Sequence, residues 1–186
     1  MPKLNLKKTG LEGCFTAESE FFKDHRGAFA RFFCNQELSE IIKERKIVQI
    51  NHSITKLKGA VRGMHFQCPP HAEMKLIRCL RGRVFDVALD LRKNSESFLK
   101  YHCEELSPEN GKMIIIPEGF AHGFQVLEED SELLYLHTAF YHPDSEGGVR
   151  FDDPAISIAW PLQTGDISER DKKHPLIDEN FKGIEL

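Results

Sequence analysis

Over residues 83–91 the chain alternates without a break. Phe85, Val87, Leu89 and Leu91 share one face, and Asp86, Ala88 and Asp90 share the other. A period of two marks an extended strand, because successive side chains of a pleated backbone point to opposite sides. Arg81-Gly82 just before it reads as a turn. Similar short runs recur at residues 47–53, 61–66, 75–80, 113–116, 122–127 and 133–141, and the glycines and prolines between them stand singly. No internal repeat, low-complexity segment or linker interrupts this rhythm, which predicts a mainly β sandwich or barrel. Residues 37–46 are the exception: Leu38, Ile41 and Ile42 sit at helical spacing behind the capping-type residue Asn35, predicting a short helix.

A chain of 186 residues fits one domain with a substantial core, so residues 1–186 are read as a single unit. Hydrophobic residues at 40% and charged residues at 29% place it with ordinary globular proteins. The formal net charge is -4 and the basic residues are scattered, so no basic stripe tracks a phosphate backbone and nucleic acid is not an expected partner. The first eight residues lack the apolar stretch of a signal peptide, and no later segment approaches the roughly 18 apolar residues of a membrane span. A cytoplasmic protein with no membrane association is expected. Five cysteines form an odd set without a Cys-x-x-Cys pair, which argues against a disulfide framework or a zinc site.

Two runs carry more polarity than a core requires. In 47–53, Gln49, Asn51 and Ser53 alternate with Val48, Ile50 and His52, so the amide face lines either solvent or a polar cavity. In 133–141, Tyr135, His137 and Tyr141 fall on one face. Dinucleotide, P-loop and Gly-x-Ser-x-Gly motifs are absent. What stands out is Arg62-Gly63-Met64-His65-Phe66-Gln67, then Lys75-Leu76-Ile77-Arg78, then Pro117-Glu118-Gly119-Phe120-Ala121-His122-Gly123-Phe124. A single histidine in such a strand also fits a hydrogen-bonded core residue. Lys75 alternating with Ile77 and Cys79 is harder to place in a core, because an inward lysine needs an anionic group or a developing oxyanion beside it.

These blocks, with Arg81 to Arg92 between them and Asp152-Asp153-Pro154, Ile158-Ala159-Trp160-Pro161 and Ser168-Glu169-Arg170-Asp171 after them, resemble the dTDP-4-dehydrorhamnose 3,5-epimerase family in order and content. The resemblance runs from about Gly27 to Asp171. It implies a cupin-like jelly roll with a few short helices. It also implies a homodimer to which the N-terminal segment contributes, residues 162–186 packed on the barrel, and a nucleotide-diphosphate sugar bound inside. The implied reaction inverts C3, C5 or both in a 4-keto-6-deoxy sugar, through an enolate and without a redox or metal cofactor.

By the same resemblance His65 is the base, Asp171 orients and charge-stabilises it, Lys75 faces the enolate oxygen, and Tyr135 delivers a proton from the opposite side. Arg62, Gln49, Asn51, His122, Glu146 and Arg170 match positions around the sugar and pyrophosphate, and Arg26 matches one that reaches across the dimer. The chemistry agrees. A proton beside a ketone needs a base that titrates near working pH, which histidine does at roughly 6.5. Inversion needs acid–base groups on both sides of the ring.

Three departures from the family pattern are expected near the site: Leu136-His137, Glu73, and Arg150-Phe151. They leave open which nucleotide (dTDP, GDP or CDP) and which carbons are served. The rival reading is a metal-binding cupin using His65, His71, Glu73 and His122, although a His-x-His pair followed by glutamate is the usual arrangement there.

Overall fold

The computed structural model describes residues 3–186. The N-terminal part forms β1 (Leu4–Lys8), β2 (Phe15–Ser19), the hairpin β3 (Phe21–Asp24) and β4 (Gly27–Ala30), and the single-turn helix α1 (Ser39–Ile42). The barrel strands follow: β5 (Gln49–Thr55), β6 (Val61–Gln67), β7 (Lys75–Arg81), β8 (Val84–Asp90), β9 (Tyr101–Leu106), β10 (Lys112–Ile116), β11 (Phe120–Val126) and β12 (Ser131–His137). A short strand β13 (Glu146–Gly148) and the helix α2 (Glu169–Lys172) complete the described elements. No helix among the described residues is long and apolar enough to cross a membrane.

The strands build two antiparallel sheets, ordered β1-β2-β10-β7-β12-β5 and β13-β6-β11-β8-β9, with β3 and β4 apart as a two-stranded hairpin. This is the expected mainly β architecture with few short helices. Between the sheets, Ile77, Ile114 and Leu133 of the first meet Val84, Ala88 and Phe124 of the second. Each sheet also carries an outer apolar layer. Leu76, Met113, Ile115 and Leu136 pack beneath Leu38, Ile41 and Ile42 of the α1 region, and Val87, Leu89 and Leu91 pack beneath Ile156 and Ile184 of the C-terminal stretch.

The alternating run over 83–91 is therefore oriented with its large apolar residues outward, toward the C-terminal stretch, and Asp86 inside. That inversion is possible because the outer layer is as dry as the core, so either face of β8 can be apolar.

Three local expectations are corrected. Residues 37–46 do not form one helix: a single turn covers Ser39–Ile42, its cap position is Leu38 with no side-chain cap, and Lys43 at φ 50° ends it. One turn suffices to lay Leu38, Ile41 and Ile42 on the sheet. The strand expected to reach residue 141 ends at His137, which leaves Tyr141 in a loop and half exposed rather than on the Tyr135 face. The first barrel strand starts at Gln49, and its apolar members Val48, Ile50 and Ile54 are 38%, 61% and 52% exposed. The polar strands β2, β9 and β13 and the β3–β4 hairpin lack a clean apolar alternation and were not anticipated.

Ile114, fully buried opposite Ile77, tests the inter-sheet core. Ile114→Ala should lower the free energy of unfolding by about 2–5 kcal/mol through lost transfer energy and a residual cavity, read from the denaturation midpoint.

Candidate active site

The two sheets and the C-terminal segment enclose a cavity of about 880 Å³. One wall is β6 and β11, the other is β7, β12 and β5, and α2 closes one side. Antiparallel register decides which side chains meet. His122 pairs opposite His65 across β11 and β6, while Tyr135 stands between Asn51 of β5 and Ile77 of β7. Close approach of β6 and β11 depends on Gly63, whose φ is +123°, since a Cβ there would lie 2.5 Å from the Gly123 Cα and 2.8 Å from the His122 carbonyl.

His65 on the first wall is paired closely with Asp171 of α2. Asp171 Oδ1 is 2.9 Å from His65 Nε2, and Oδ2 accepts the Gly63 N–H at 3.1 Å. The carboxylate reaches this position because the Ser168 hydroxyl caps α2 by accepting from the Asp171 N–H at 3.0 Å. Burial penalises the charge of Asp171, but the hydrogen bonds from His65 and Gly63 outweigh it and hold the carboxyl down to about 2, from an ordinary 3.8. Arg170 Nη2 also lies 3.2 Å from His65 Nε2, but a ring nitrogen that donates to Asp171 has no lone pair for a second donor. Arg170 instead gives Nη1 to Glu146 at 3.0 Å, and the free lone pair of His65 is left on Nδ1.

Across the cavity, Tyr135 Oη lies 3.1 Å from the Ser53 hydroxyl. Burial pushes that phenol well above its ordinary 10, against the Ser53 hydrogen bond and with the Asp86 charge adding to the rise. The Tyr135 proton is thus firmly held at neutral pH. Lys75 is buried, with Nζ 3.3 Å from the His65 carbonyl oxygen and 3.3 Å from Glu73 Oε1. Arg62 lines the cavity and gives Nε to the Thr55 hydroxyl at 2.9 Å, and His122 Nε2 lies 2.8 Å from Asp86 Oδ2.

Most of the expected residues therefore surround one cavity: His65, Lys75, Asn51, Arg62, His122, Tyr135, Glu146, Arg170 and Asp171 all line it. Gln49 stands at the rim and donates Nε2 to Asn51 Oδ1 at 3.2 Å. Arg26 is the exception. It sits on the β3–β4 hairpin, exposed and paired to Asp24 at 2.6 Å, beside a separate depression.

The three sequence departures separate. Glu73 and His137 line the cavity, but Leu136 packs on the outer layer, Arg150 pairs with Asp152 at the surface, and Phe151 is buried with Val61 and Ile167. The Arg150-Phe151 departure is thus not a site feature. Nor does the rival metal set assemble: His71 stacks on His142 at 3.9 Å, while Glu73 and His122 are taken by His137 and Asp86. Donor atoms of His65, Asp171 and His174 do lie within 4.8 Å of one another, but the Arg170 guanidinium beside them opposes a cation. His174 was missed by the sequence reading, and its signal was the i, i+3 spacing from Asp171. Its ring meets His65 edge-on at 5.6 Å. Burial, together with His65, holds it below its ordinary pKa.

A family model described as dTDP-4-dehydrorhamnose 3,5-epimerase matches residues 8–179. The chain belongs to this family. Its similarity to the dTDP-4-dehydrorhamnose 3,5-epimerase of Salmonella typhimurium is 43% identity over 174 residues, covering 92% of this chain and 94% of that protein. Among solved structures, the epimerase of Elizabethkingia anophelis matches with a TM-score of 0.89 at 40% identity, covering 96% of this chain and 98% of that one. A dTDP-6-deoxy-D-glucose-3,5-epimerase from Legionella pneumophila, in complex with dTDP-4-keto-L-rhamnose, matches with a TM-score of 0.90 at 34% identity, covering 98% of each chain. The fold is thus the cupin type of the 3,5-epimerases.

The depressed Asp171 carboxyl has a stability consequence. A carboxyl whose folded-state pKa lies below its unfolded value stabilises the fold above that unfolded value, and the contribution is lost as pH falls through the folded one. The shift from 3.8 to about 2 corresponds to roughly 2 kcal/mol. Between pH 4 and pH 2 the wild type should therefore lose about that much more unfolding free energy than Asp171→Asn, in parallel urea titrations at each pH.

Proposed function

We propose that the protein epimerises a dTDP-linked 4-keto-6-deoxy hexose at C3 and C5. The observation that carries this reading is the placement of His65, paired to Asp171 of α2, on one sheet and of Tyr135 and Lys75 on the facing sheet. A carbon beside a ketone loses its proton only if the base is near-neutral and the enolate is stabilised as it forms. His65 takes that proton on Nδ1, the nitrogen not engaged with Asp171, and the buried carboxylate offsets the imidazolium charge. The electrons of the broken C–H bond move to the carbonyl oxygen, which faces the Lys75 ammonium. Tyr135 then gives its proton to the carbon from the opposite wall, and the centre is inverted. Arg62 and Arg170 supply guanidinium donors for the diphosphate, with Arg170 released from Glu146 as substrate enters.

His65→Asn should abolish both exchange and inversion while leaving the fold intact, since only the base is removed. Asp171→Asn should be milder, because a hydrogen bond remains where the charge is lost. Incubating 4-keto nucleotide sugars in deuterated water and reading the ring protons by NMR tests the whole proposal. Loss of neither process in a folded His65→Asn variant would remove His65 from the role.

We also propose that the protein works as a homodimer. Edge strand β5 presents Ile50 and Ile54 outward, 61% and 52% exposed, and the β3–β4 hairpin presents Phe22 and Phe29, 54% and 67% exposed. Such apolar surface on an open sheet edge needs covering, and a two-fold partner is the commonest cover. Arg26 at the hairpin tip then has a route into the neighbouring cavity. Light scattering at micromolar concentration should give twice the chain mass, and Ile50→Glu should give monomers. Arg26→Ala should raise KM more than it lowers kcat.

A further inference from the structure

The second wall carries a histidine–carboxylate pair that the mechanism above leaves unused. His137 Nδ1 is 2.6 Å from Glu73 Oε2, and both side chains are about nine-tenths buried at the cavity lining. The register makes this contact: His137 of β12 lies opposite both Gln49 of β5 and Lys75 of β7, with Glu73 two residues before Lys75. Burial resists the charge of Glu73, but the His137 hydrogen bond and the Lys75 ammonium outweigh it and hold the carboxyl below its ordinary value.

A chain of amides fixes the ring's tautomer. The Tyr141 N–H donates to Gln49 Oε1 at 3.1 Å, so Gln49 offers its Nε2 to Asn51 Oδ1 at 3.2 Å. Asn51 is then left with Nδ2 as donor toward His137 Nε2 at 3.3 Å. An imidazole that receives at Nε2 carries its proton on Nδ1, toward the carboxylate. Its cavity-side nitrogen is a lone pair held only by one long hydrogen bond. A histidine–carboxylate pair thus faces His65–Asp171 from the opposite sheet, with the roles of the two ring nitrogens exchanged. Tyr135 and His137 share a strand face, with ring centroids 6.1 Å apart.

We propose that His137, oriented by Glu73, is a second acid–base residue of the site, acting on the sugar ring from the Tyr135 wall. This inference rests on the epimerase reading above. In the direction opposite to His65, Nε2 takes the proton from the ring carbon. The C–H electron pair becomes the enolate, and the imidazolium rests against Glu73. In the His65 direction, Nε2 first takes a proton from solvent in place of the Asn51 hydrogen bond, and the resulting imidazolium, held against Glu73, delivers that proton to the carbon. No further reactant is needed. Around His137 stand Glu73 and Lys75 from the β7 segment, the amides of Gln49 and Asn51 from β5, and Tyr135 from its own strand.

The test is inversion in deuterated water, starting from a 4-keto-6-deoxy dTDP-hexose, in variants checked for folding by thermal melting. Tyr135→Phe should keep measurable inversion, because His137 still delivers a proton to that face. His137→Asn retains a donor for Glu73 and removes Nε2 with the far side of the ring, so the double variant Tyr135→Phe/His137→Asn should invert about a hundredfold more slowly than Tyr135→Phe. Its solvent exchange through His65 should persist. Glu73→Gln in the Tyr135→Phe background should move the pH dependence of the remaining inversion to lower pH, since the imidazolium loses its counter-charge. Glu73→Gln should have no such effect once His137 is Asn. Equal inversion rates in Tyr135→Phe and the double variant would overturn the proposal. If the double variant does not fold, an unmoved pH profile for Glu73→Gln in the Tyr135→Phe background would overturn it as well. A wild-type protein that exchanges no ring proton of the substrate would instead sink the epimerase reading, and this inference with it.

Discussion

The Asp171 carboxylate ties the chemistry to the architecture. It lies buried between the C-terminal segment and β6, and it accepts hydrogen bonds from the Gly63 amide and the His65 ring. A buried carboxylate is costly unless nearly every lone pair is engaged. Here the engagement is shared between backbone and side chain. The bridge between Val61 and Ile167 sets the approach, and the capped turn of α2 finishes it. The same contacts that hold residues 166–171 against the barrel therefore orient the imidazole.

Division of labour between the two sheets follows from their strand order. β6 and β11 bring His65 and His122, while β7, β12 and β5 bring Lys75, Tyr135, His137 and Asn51. A sugar ring held between such walls would meet titratable groups on both faces, which is the geometric demand of stereochemical inversion. The cavity lining is mostly polar, with Phe124, Ala60 and Val61 among its apolar members, while Ile77 and Ile114 belong to the inter-sheet core. Outer layers on both sheets relieve the interior of having to supply the whole hydrophobic core. Asp86, Lys75 and Glu73 can thus stand inside the barrel, each with a partner, at tolerable desolvation cost.

Much of this was legible in the residue pattern. Period-two alternation located the central strands β6, β7, β8, β10, β11 and β12 to within a few residues, because buried strands need apolar partners on a fixed face. The multi-residue blocks around His65, His122 and Asp171 supplied residues that line the candidate cavity. Strands made of mixed polar residues, such as Tyr101–Leu106, were not legible, since their pairing is decided by a neighbouring strand and not by their own pattern. Helical spacing over 37–46 overstated the helix because three apolar residues on a sheet need only one turn.

By itself the sequence determined which residue types were available and which strands could exist, since local alternation and block order are properties of the chain alone. Tertiary structure decided which way each face points and which distant residues meet. Asp86 turned inward because the C-terminal stretch covers the other face of β8. Arg150 and Phe151 left the site, and Glu73 met His137 across 64 residues of chain. The physical reason is that sheet register and layer packing are non-local. A period of two tells that a strand has two faces, and only the elements packed against it tell which face is dry.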